Sequence, residues 1–472
     1  MTGETVHIPN ETTATTTAAA TTAGTEAPPK GAKGAGATLA ATSAATTIAL
    51  MNYTAPMLTL PGMTASFGTP VSAQAWLLNG TPLGLAALLL VAGSLADDYG
   101  RRRIFLAGTF ALGITIALGA VAPTTLTFTL ARVAQGAASA AILASSLGLL
   151  VAAFPAGAAR IRATGVWGAF VSGGIAMGPL LAGGLATINW RLAYAVLAVA
   201  ALIAFAAATR ALTESRAPRK GGRPDWAGAL TLALAFTSLI GALTLGRDGW
   251  LRAPVGVLLA AAVLLTVAFA RVERRAATPT IDLALFRRPE FLASSAGALF
   301  TGLSVIGLFS CLPNLLHQVR GTSPMSAAWL FVLWSGLAFV VALQARRLAG
   351  RVAARRQLAI GFALHAVGVL AMLGAVQPTG GTLWRLVPGL MVAGVGSGLL
   401  NAALPRLAVE SVPADRAAMG SGANNTARYI GSSAGVALTI AVAQTGVNAT
   451  LWVSAALAVP GAVLALVLRE RS

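Results

Sequence analysis

The sequence has few charged residues: only 10% of its 472 residues are Asp, Glu, Lys or Arg, whereas 56% are hydrophobic. Soluble domains carry roughly a quarter charged residues, so the composition argues strongly against a water-soluble enzyme. The single cysteine, Cys311, excludes an internal disulfide and a multi-cysteine metal site. The three histidines, His7, His317 and His365, are too scattered to suggest a ligand cluster. We therefore expect no metal site and no resident cofactor.

Long apolar stretches fill most of the chain. Residues 1–37, rich in Thr, Ala, Gly and Pro, are predicted to form a disordered tail because they offer almost no large apolar side chain to bury. From Thr38 onward, each stretch is close to the roughly 20 residues that a helix needs to cross a bilayer. Backbone groups in lipid must be hydrogen-bonded within their segment, so helices are expected. Fourteen spans are predicted: 38–61, 74–96, 103–122, 126–153, 163–187, 190–212, 227–246, 252–271, 290–313, 324–345, 357–376, 383–405, 418–446 and 449–468.

Basic residues are concentrated in alternate loops. The net charge is +19, which alone could indicate a nucleic-acid binder. However, 26 of the 33 basic residues fall on the side of the N-terminal tail, five fall on the other side, and Arg132 and Arg428 lie within apolar stretches. Loops that face the cytoplasm collect Lys and Arg. The pattern predicts a cell-membrane protein with both termini cytoplasmic and no nucleic-acid partner.

The loop after the second stretch has the spacing Gly-x-x-x-Asp-x-x-Gly-Arg-Arg, formed by Gly93, Asp97, Gly100, Arg101 and Arg102. Glycines permit a tight turn between helices, and an acid beside several arginines can hold one arrangement of helix ends. A basic membrane-surface anchor with a solvated acid is the alternative.

Polar residues interrupt two of the apolar stretches. Arg132 is followed by Gln135 in the fourth, and Asn424, Asn425 and Arg428 lie in the thirteenth. A buried cation in a membrane needs a partner or water, which favours a functional role. The alternatives are an arginine that extends to the membrane surface and a hydrogen-bonded clamp between helices.

The fifth stretch carries a series of small residues around Pro179: Gly165, Gly174, Gly178 and Gly183. Glycines at four-residue spacing let a second helix approach closely, and a proline loosens the helical hydrogen-bond ladder.

Together these motifs, in this order, resemble the fourteen-helix drug:proton antiporter branch of the major facilitator superfamily. The resemblance implies an all-α polytopic membrane protein with the major facilitator fold. Two six-helix bundles, 38–212 and 290–472, would flank a central cavity, and 213–289 would hold two extra transmembrane helices. It also implies that Asp97 and Arg101 act in gating, that Arg132 acts in proton coupling, and that the glycine-rich fifth helix, at the contact between halves, marks an exporter.

The chain departs from this branch where a proton carrier is expected. None of the 14 acids falls clearly in mid-membrane. In the branch, the first helix commonly carries an acid before a proline, and nine residues before Pro61 this chain has Asn52. An amide cannot release a proton, so Asn52 is predicted to line the cavity as a hydrogen-bonding contact. Coupling would then rely on Asp97, Glu410 or His365.

We therefore predict export of an antibiotic or other hydrophobic or amphiphilic small molecule by a monomer that uses the proton gradient as its energy source. Arg132 and Arg428 favour neutral or anionic substrates over strongly cationic ones. Uptake or uniport of a metabolite is the alternative within the same fold; a membrane transferase is disfavoured because no catalytic constellation is assembled. Candidate cavity contacts are Asn424, Asn425, Trp76, Trp167, Phe170 and Trp334.

Overall fold

The computed structural model describes residues 2–3, 32–216, 226–246, 249–275, 283–345, 347, 351–377 and 381–467. Within these ranges the regular structure is helical throughout. The α-helices are α1 (Ala32–Thr54), α2 (Pro56–Phe67), α3 (Val71–Tyr99), α4 (Arg101–Ala120), α5 (Thr125–Ala153), α6 (Ala158–Ala186), α7 (Trp190–Ala211), α8 (Trp226–Leu245), α9 (Ala253–Arg275), α10 (Pro289–Phe300), α11 (Gly307–Arg320), α12 (Pro324–Ala345), α13 (Ala354–Leu370), α14 (Val387–Glu410), α15 (Ala417–Ala443) and α16 (Val447–Val467).

Twelve helical segments in the described ranges are long and apolar enough to cross a membrane. The two remaining predicted crossings are the helices α13 and α15. The first has only 17 residues, and the second carries Asn424, Asn425 and Arg428, which lower its hydropathy. The predicted all-helical membrane architecture is confirmed, while the number of fourteen crossings stays a prediction.

The first helix differs from its predicted bounds at both ends. It begins at Ala32, so residues 32–37 are helical and do not belong to a disordered tail; alanine favours helix and extends the following span backwards. The rest of that tail, 4–31, lies outside the described residues. The helix ends at Thr54, well before Pro61, because Pro56 lacks the N–H needed to continue the ladder and instead begins α2.

The predicted helix over 290–313 is interrupted. A π-helical segment, Thr301–Ile306, lies between α10 and α11. Its Gly302 lies so close to the backbone of Arg428 that an added Cβ would collide with the carbonyl oxygen. Wider π-turns of this kind occur mostly at functional sites. The segment therefore brings irregular backbone to the polar part of α15.

Two apolar cores organise the molecule. Phe105, Phe128 and Tyr194 lie in the core of the first half, and Phe309 and Phe362 lie in that of the second. The halves meet where α3 contacts α15 and where α6 contacts α12 and α14. Helices α8 and α9 pack against each other, and α8 also contacts α3 and α15. The bundle boundaries stay predictions.

Candidate transport pathway and polar clusters

Asp97 and Arg101 form a buried ion pair at the turn from α3 to α4. Arg101 Nε donates to Asp97 Oδ1 at 2.8 Å, and Gly100 adopts φ of +124°, which favours glycine. The same carboxylate accepts the N–H groups of Ala418 at 3.3 Å and Met419 at 2.8 Å, in the first turn of α15. Free N–H groups and the helix dipole favour an anion there. Asp97 therefore ties the first half of the molecule to the second.

Arg101 reinforces this tie. It donates to the carbonyl oxygen of Gly148 on α5 at 3.2 Å and to that of Asp415, just before α15, at 2.9 Å. Next to it, Arg416 donates to Asp98 at 2.7 Å. Contacts between the two halves therefore close the end of the molecule at which Asp97 lies, which we call the Asp97 end.

The other two residues of the predicted gating motif have separate roles. Gly93 lies against α15, where an added Cβ would collide with the backbone of Ala418. Arg102 contacts its own half: its backbone N–H donates to Glu214 at 3.1 Å, and its guanidinium donates to the carbonyl oxygen of Thr209 at 2.9 Å. Gly93, Asp97, Gly100 and Arg101 are thus brought together at the interface between the halves, and Arg102 is not.

A cavity of about 720 Å³ lies between the halves near the start of α3. Since α3 ends beside Asp97, this large cavity and the Asp97 end are at opposite ends of the molecule. Its described walls contain no acidic residue. The lining residues are Tyr53, Pro56, Met57, Leu58, Leu60, Pro61, Gln74, Leu78, Asn79, Pro82, Ser310, Cys311, Pro313, Leu315, His317, Gln318, Val319, Ala327, Ser432, Ser433, Val436, Thr439, Ile440, Ala443, Gln444 and Val447.

A small cavity of about 30 Å³ adjoins the large one. The two share Tyr53, Met57 and Ser310 as lining residues. The small cavity is also lined by Arg428 and by Trp334, whose ring stacks on Phe309 at 4.0 Å between centroids. Trp334 therefore lines the small cavity, and the other three predicted aromatic contacts line neither cavity.

Arg132 is fully buried and donates hydrogen bonds to the backbone just before the break between α1 and α2. Its Nη1 donates to the carbonyl oxygen of Asn52 at 2.8 Å, to the Asn52 side chain at 3.1 Å and to Gln135 at 2.9 Å, and its Nη2 donates to the carbonyl oxygen of Tyr53 at 3.4 Å. In an uninterrupted helix the N–H at position 56 would bond to the Asn52 carbonyl, but Pro56 has none. Asn52 is itself fully buried and lines neither the large nor the small cavity, so its role as a cavity contact stays a prediction.

Five further predicted cavity contacts line neither cavity: Trp76, Trp167, Phe170, Asn424 and Asn425. Trp76 is partly buried away from both. Asn424 donates to the hydroxyl of Ser294 at 2.9 Å. This bond joins α15 to α10 and corresponds to the alternative of a hydrogen-bonded clamp between helices. Asn425 donates to the carbonyl oxygen of Ser421 at 3.0 Å within its own helix.

Arg428 begins a polar chain that crosses the interface between the halves. It donates to Asn401 Oδ1 at 3.1 Å, and Asn401 donates to Ser172 Oγ at 2.7 Å. Ser335 donates to the carbonyl oxygen of Ser172 at 2.8 Å. Close approach of α6 to α14 depends on Gly168, where a Cβ would collide with the Asn401 carbonyl oxygen. The sequence did not mark Asn401, Ser172 or Gly168, because small polar residues are common in apolar helices.

The other two coupling candidates lie apart from both embedded arginines. His365 is buried with its Nε2 3.1 Å from Ser454 Oγ, and Ser454 donates to the carbonyl oxygen of Ser304 in the π-helical segment at 2.8 Å. Glu410 is paired with Arg406 at 2.8 Å at the end of α14. Neither lines the large or the small cavity.

The glycines of α6 do not form a single contact surface for one neighbouring helix. Gly174 and Gly178 lie against α1 of the same half. Gly183 lies against Leu58 of α2, and a Cβ added there would also be 3.8 Å from Met325 of α12, in the second half. A Cβ at Gly165 would meet no atom within 4 Å. Pro179 is buried inside the helix. The contact between halves that the resemblance implied is therefore not found at Gly174 and Gly178, and it stays a prediction for the motif as a whole.

A helical membrane bundle with a cavity between two halves, closed at one end, is the architecture of a secondary transporter. The sequence profile described as Major Facilitator Superfamily matches residues 42–436. The chain belongs to this superfamily of membrane transporters, and it is therefore a transporter and not an enzyme.

Curated relatives lie within the same superfamily. The chain is 32% identical over 417 residues to the multidrug resistance protein Stp of Mycobacterium tuberculosis, with 87% of this chain and 76% of that protein covered. It is 31% identical over 398 residues to the puromycin resistance protein pur8 of Streptomyces alboniger, covering 83% and 78%. It is 32% identical over 402 residues to a probable actinorhodin transporter of Streptomyces coelicolor, covering 82% and 69%.

Solved structures agree on the fold. The human organic anion transporter MFSD10 matches with a TM-score of 0.66 at 17% identity, covering 93% of this chain and 100% of that one. The proton:xylose symporter XylE matches with a TM-score of 0.66 at 12% identity, covering 91% and 94%.

Proposed function

We propose that this protein exports an antibiotic or other hydrophobic small molecule from the cytoplasm. The observation that carries the proposal is the cavity of about 720 Å³ between the halves, large enough for a drug-sized ligand. The names of the relatives, which refer to multidrug resistance, puromycin resistance and actinorhodin transport, support the direction and the substrate class.

The distribution of basic residues supports an orientation in the cell membrane. Most of them lie in loops on the side of the Asp97 end, which supports a cytoplasmic location for that end and for both termini. The large cavity then opens to the outside, and this conformation is the one that releases substrate. We expect the protein to act as a monomer surrounded by the lipid bilayer.

Proton antiport is the energy source we propose, with no cofactor. Asp97 is the candidate carrier because its carboxylate is buried at the interface and bridges Arg101 to the N–H groups of Ala418 and Met419. Protonation would remove the charge that these donors bind, which would weaken the tie between the halves at this end. Protonation of Asp97 would thus favour the conformation that opens to the cytoplasm.

Expression in a bacterial host that lacks its own drug exporters tests the proposal. We expect the protein to raise resistance to at least one compound in a panel of antibiotics and aromatic dyes, and to lower the accumulation of that compound in the cells. Asp97→Asn should abolish the effect, whereas Glu290→Gln, which removes an acid paired with Arg355 within the second half, should retain most of it. A chain that raised accumulation, or that changed neither resistance nor accumulation for the whole panel, would contradict export.

A further inference from the structure

The two arginines within the apolar helices use their donors very differently. A guanidinium carries five N–H donors. Arg132 directs both terminal nitrogens to oxygen atoms of Asn52, Tyr53 and Gln135. Arg428 has one side-chain hydrogen bond, from Nη2 to Asn401, while Nε is without a partner in both arginines. The terminal N–H groups of Arg132 are used at the helix break after α1. Arg428, by contrast, has N–H groups that are available to a further acceptor.

Arg428 is also without a neutralising charge in the pathway. It lines the small cavity, and no acidic residue is present among the described residues that line the small or the large cavity. His317 is the other basic side chain in these walls. A cation removed from bulk water is costly unless an anion or water compensates it. The pathway therefore favours a ligand that carries a negative charge to Arg428.

The sizes of the cavities fit an elongated ligand with a small charged group. A volume of about 30 Å³ holds a carboxylate-sized group or about two waters, but not the body of a drug-sized molecule. Tyr53, Met57 and Ser310 join this space to the large cavity.

We propose that Arg428 is the substrate-binding counter-charge for an oxyanion, such as a carboxylate, on an amphiphile whose apolar body occupies the large cavity. This inference rests on the proposed export function and names its substrate class. The oxyanion would bind the donors that Arg428 leaves unused and would compete with Asn401 for Nη2. Because Asn401 is also bonded to Ser172 of the other half, binding would reach the contact between the halves.

Matched pairs of aromatic carboxylic acids and their methyl esters, together with the xanthene dyes fluorescein (anionic) and rhodamine 123 (cationic), test the proposal with purified full-length protein. Binding is followed by fluorescence anisotropy for the dyes and by competition against fluorescein for the acids and esters. We expect the wild type to prefer each acid over its ester and fluorescein over rhodamine 123. Arg428→Gln should weaken binding of the acids by about tenfold to a hundredfold, which is the worth of a charge-assisted hydrogen bond, and leave the esters within about twofold.

Two further variants keep the test decisive if Arg428→Gln folds poorly. Asn401→Asp supplies an internal carboxylate to Arg428 with little change in shape, and we expect it to remove the preference for acids. Arg162→Gln removes an exposed arginine and serves as the matched control, which should bind all probes as the wild type does. Equal binding of acids and esters by the wild type, failure to bind any anionic probe, or a uniform loss for all probes in both site variants would overturn the proposal. Export of neutral or cationic compounds would then leave the transport function standing without this substrate class.

Discussion

Arg132 donates to the backbone carbonyl of Asn52 at 2.8 Å, and this is the carbonyl that Pro56, four residues later, cannot reach with an N–H. A cation of α5 thus completes the hydrogen bonding of a broken α1. The arrangement explains why a fully buried arginine lies in an apolar helix although no acidic residue is among its hydrogen-bond partners. It also makes Arg132 primarily a structural residue of the first half.

A double-mutant cycle tests this role. Arg132→Gln should lower the free energy of unfolding by roughly 2–4 kcal/mol, because it leaves the carbonyl groups of Asn52 and Tyr53 without donors. Pro56→Ala restores an N–H, so the cost of Arg132→Gln should be smaller in that background. The measurement is thermal unfolding in detergent, with Arg162→Gln as the exposed control. Simple additivity of the two substitutions would contradict the assigned link between Arg132 and the helix break.

The contact of α6 with α14 can be tested with two glycines of the same helix. Gly168→Ala places a Cβ against the Asn401 backbone and should force the halves apart, at a cost of roughly 1–3 kcal/mol. Gly184→Ala meets no atom within 4 Å. We expect the first variant to lose drug resistance in cells at unchanged expression and the second to keep it. Equal activity of the two variants would show that the contact at Gly168 has no role in transport.

The single cysteine gives a direct readout of the large cavity, since Cys311 lines it. If Asp97 closes the opposite end of the molecule, then Asp97→Asn should shift the population away from the described conformation and slow the labelling of Cys311 by a membrane-impermeant thiol reagent. Glu290→Gln, which removes an acid paired with Arg355 within the second half, should label at nearly the wild-type rate. Faster labelling of Asp97→Asn would argue against the assigned closure.

The position of Asn52 makes a further prediction. Because Asn52 is buried on Arg132 and lines neither cavity, a carboxylate introduced there would pair with the guanidinium at about the present 3.1 Å and would not meet the substrate. We therefore expect Asn52→Asp to confer no transport of a cationic drug such as ethidium, as measured by efflux from loaded cells. Efflux of ethidium gained by this variant would mean that Asn52 does reach the pathway.

Sequence patterns predicted the features that depend on local spacing. Helix length and apolar character predicted the membrane helices. The spacing of Asp97 and Arg101 predicted a charge network at helix ends, where the structure has an ion pair and hydrogen bonds to α15. Pro56 is also a helix breaker in the sequence, but the span predicted for the first helix, 38–61, runs past it to Pro61. The importance of the break at Pro56 becomes clear only from the structure, in which Arg132 donates to the carbonyl oxygen of Asn52.

The remaining features depend on contacts between distant segments. Asn401 meets Ser172 and Gly168 only because α14 packs across α6, and no local pattern distinguishes these residues from other small or polar residues of apolar helices. The same holds for the contrast between the two arginines, which have similar sequence surroundings but different numbers of acceptors within reach. Spacing along one helix can place a residue at a depth in the membrane, but it cannot place that residue in the wall of a cavity.

Substrate transport in proteoliposomes under an imposed pH gradient tests the central claim of proton-coupled export most directly. The compound is one to which the protein confers resistance in cells, and an internal pH dye reports proton movement at the same time. We predict that substrate and protons move in opposite directions, that reversing the gradient reverses substrate movement, and that Asp97→Asn abolishes both fluxes. Substrate transport that is unaffected by the gradient and is accompanied by no proton movement would contradict the account.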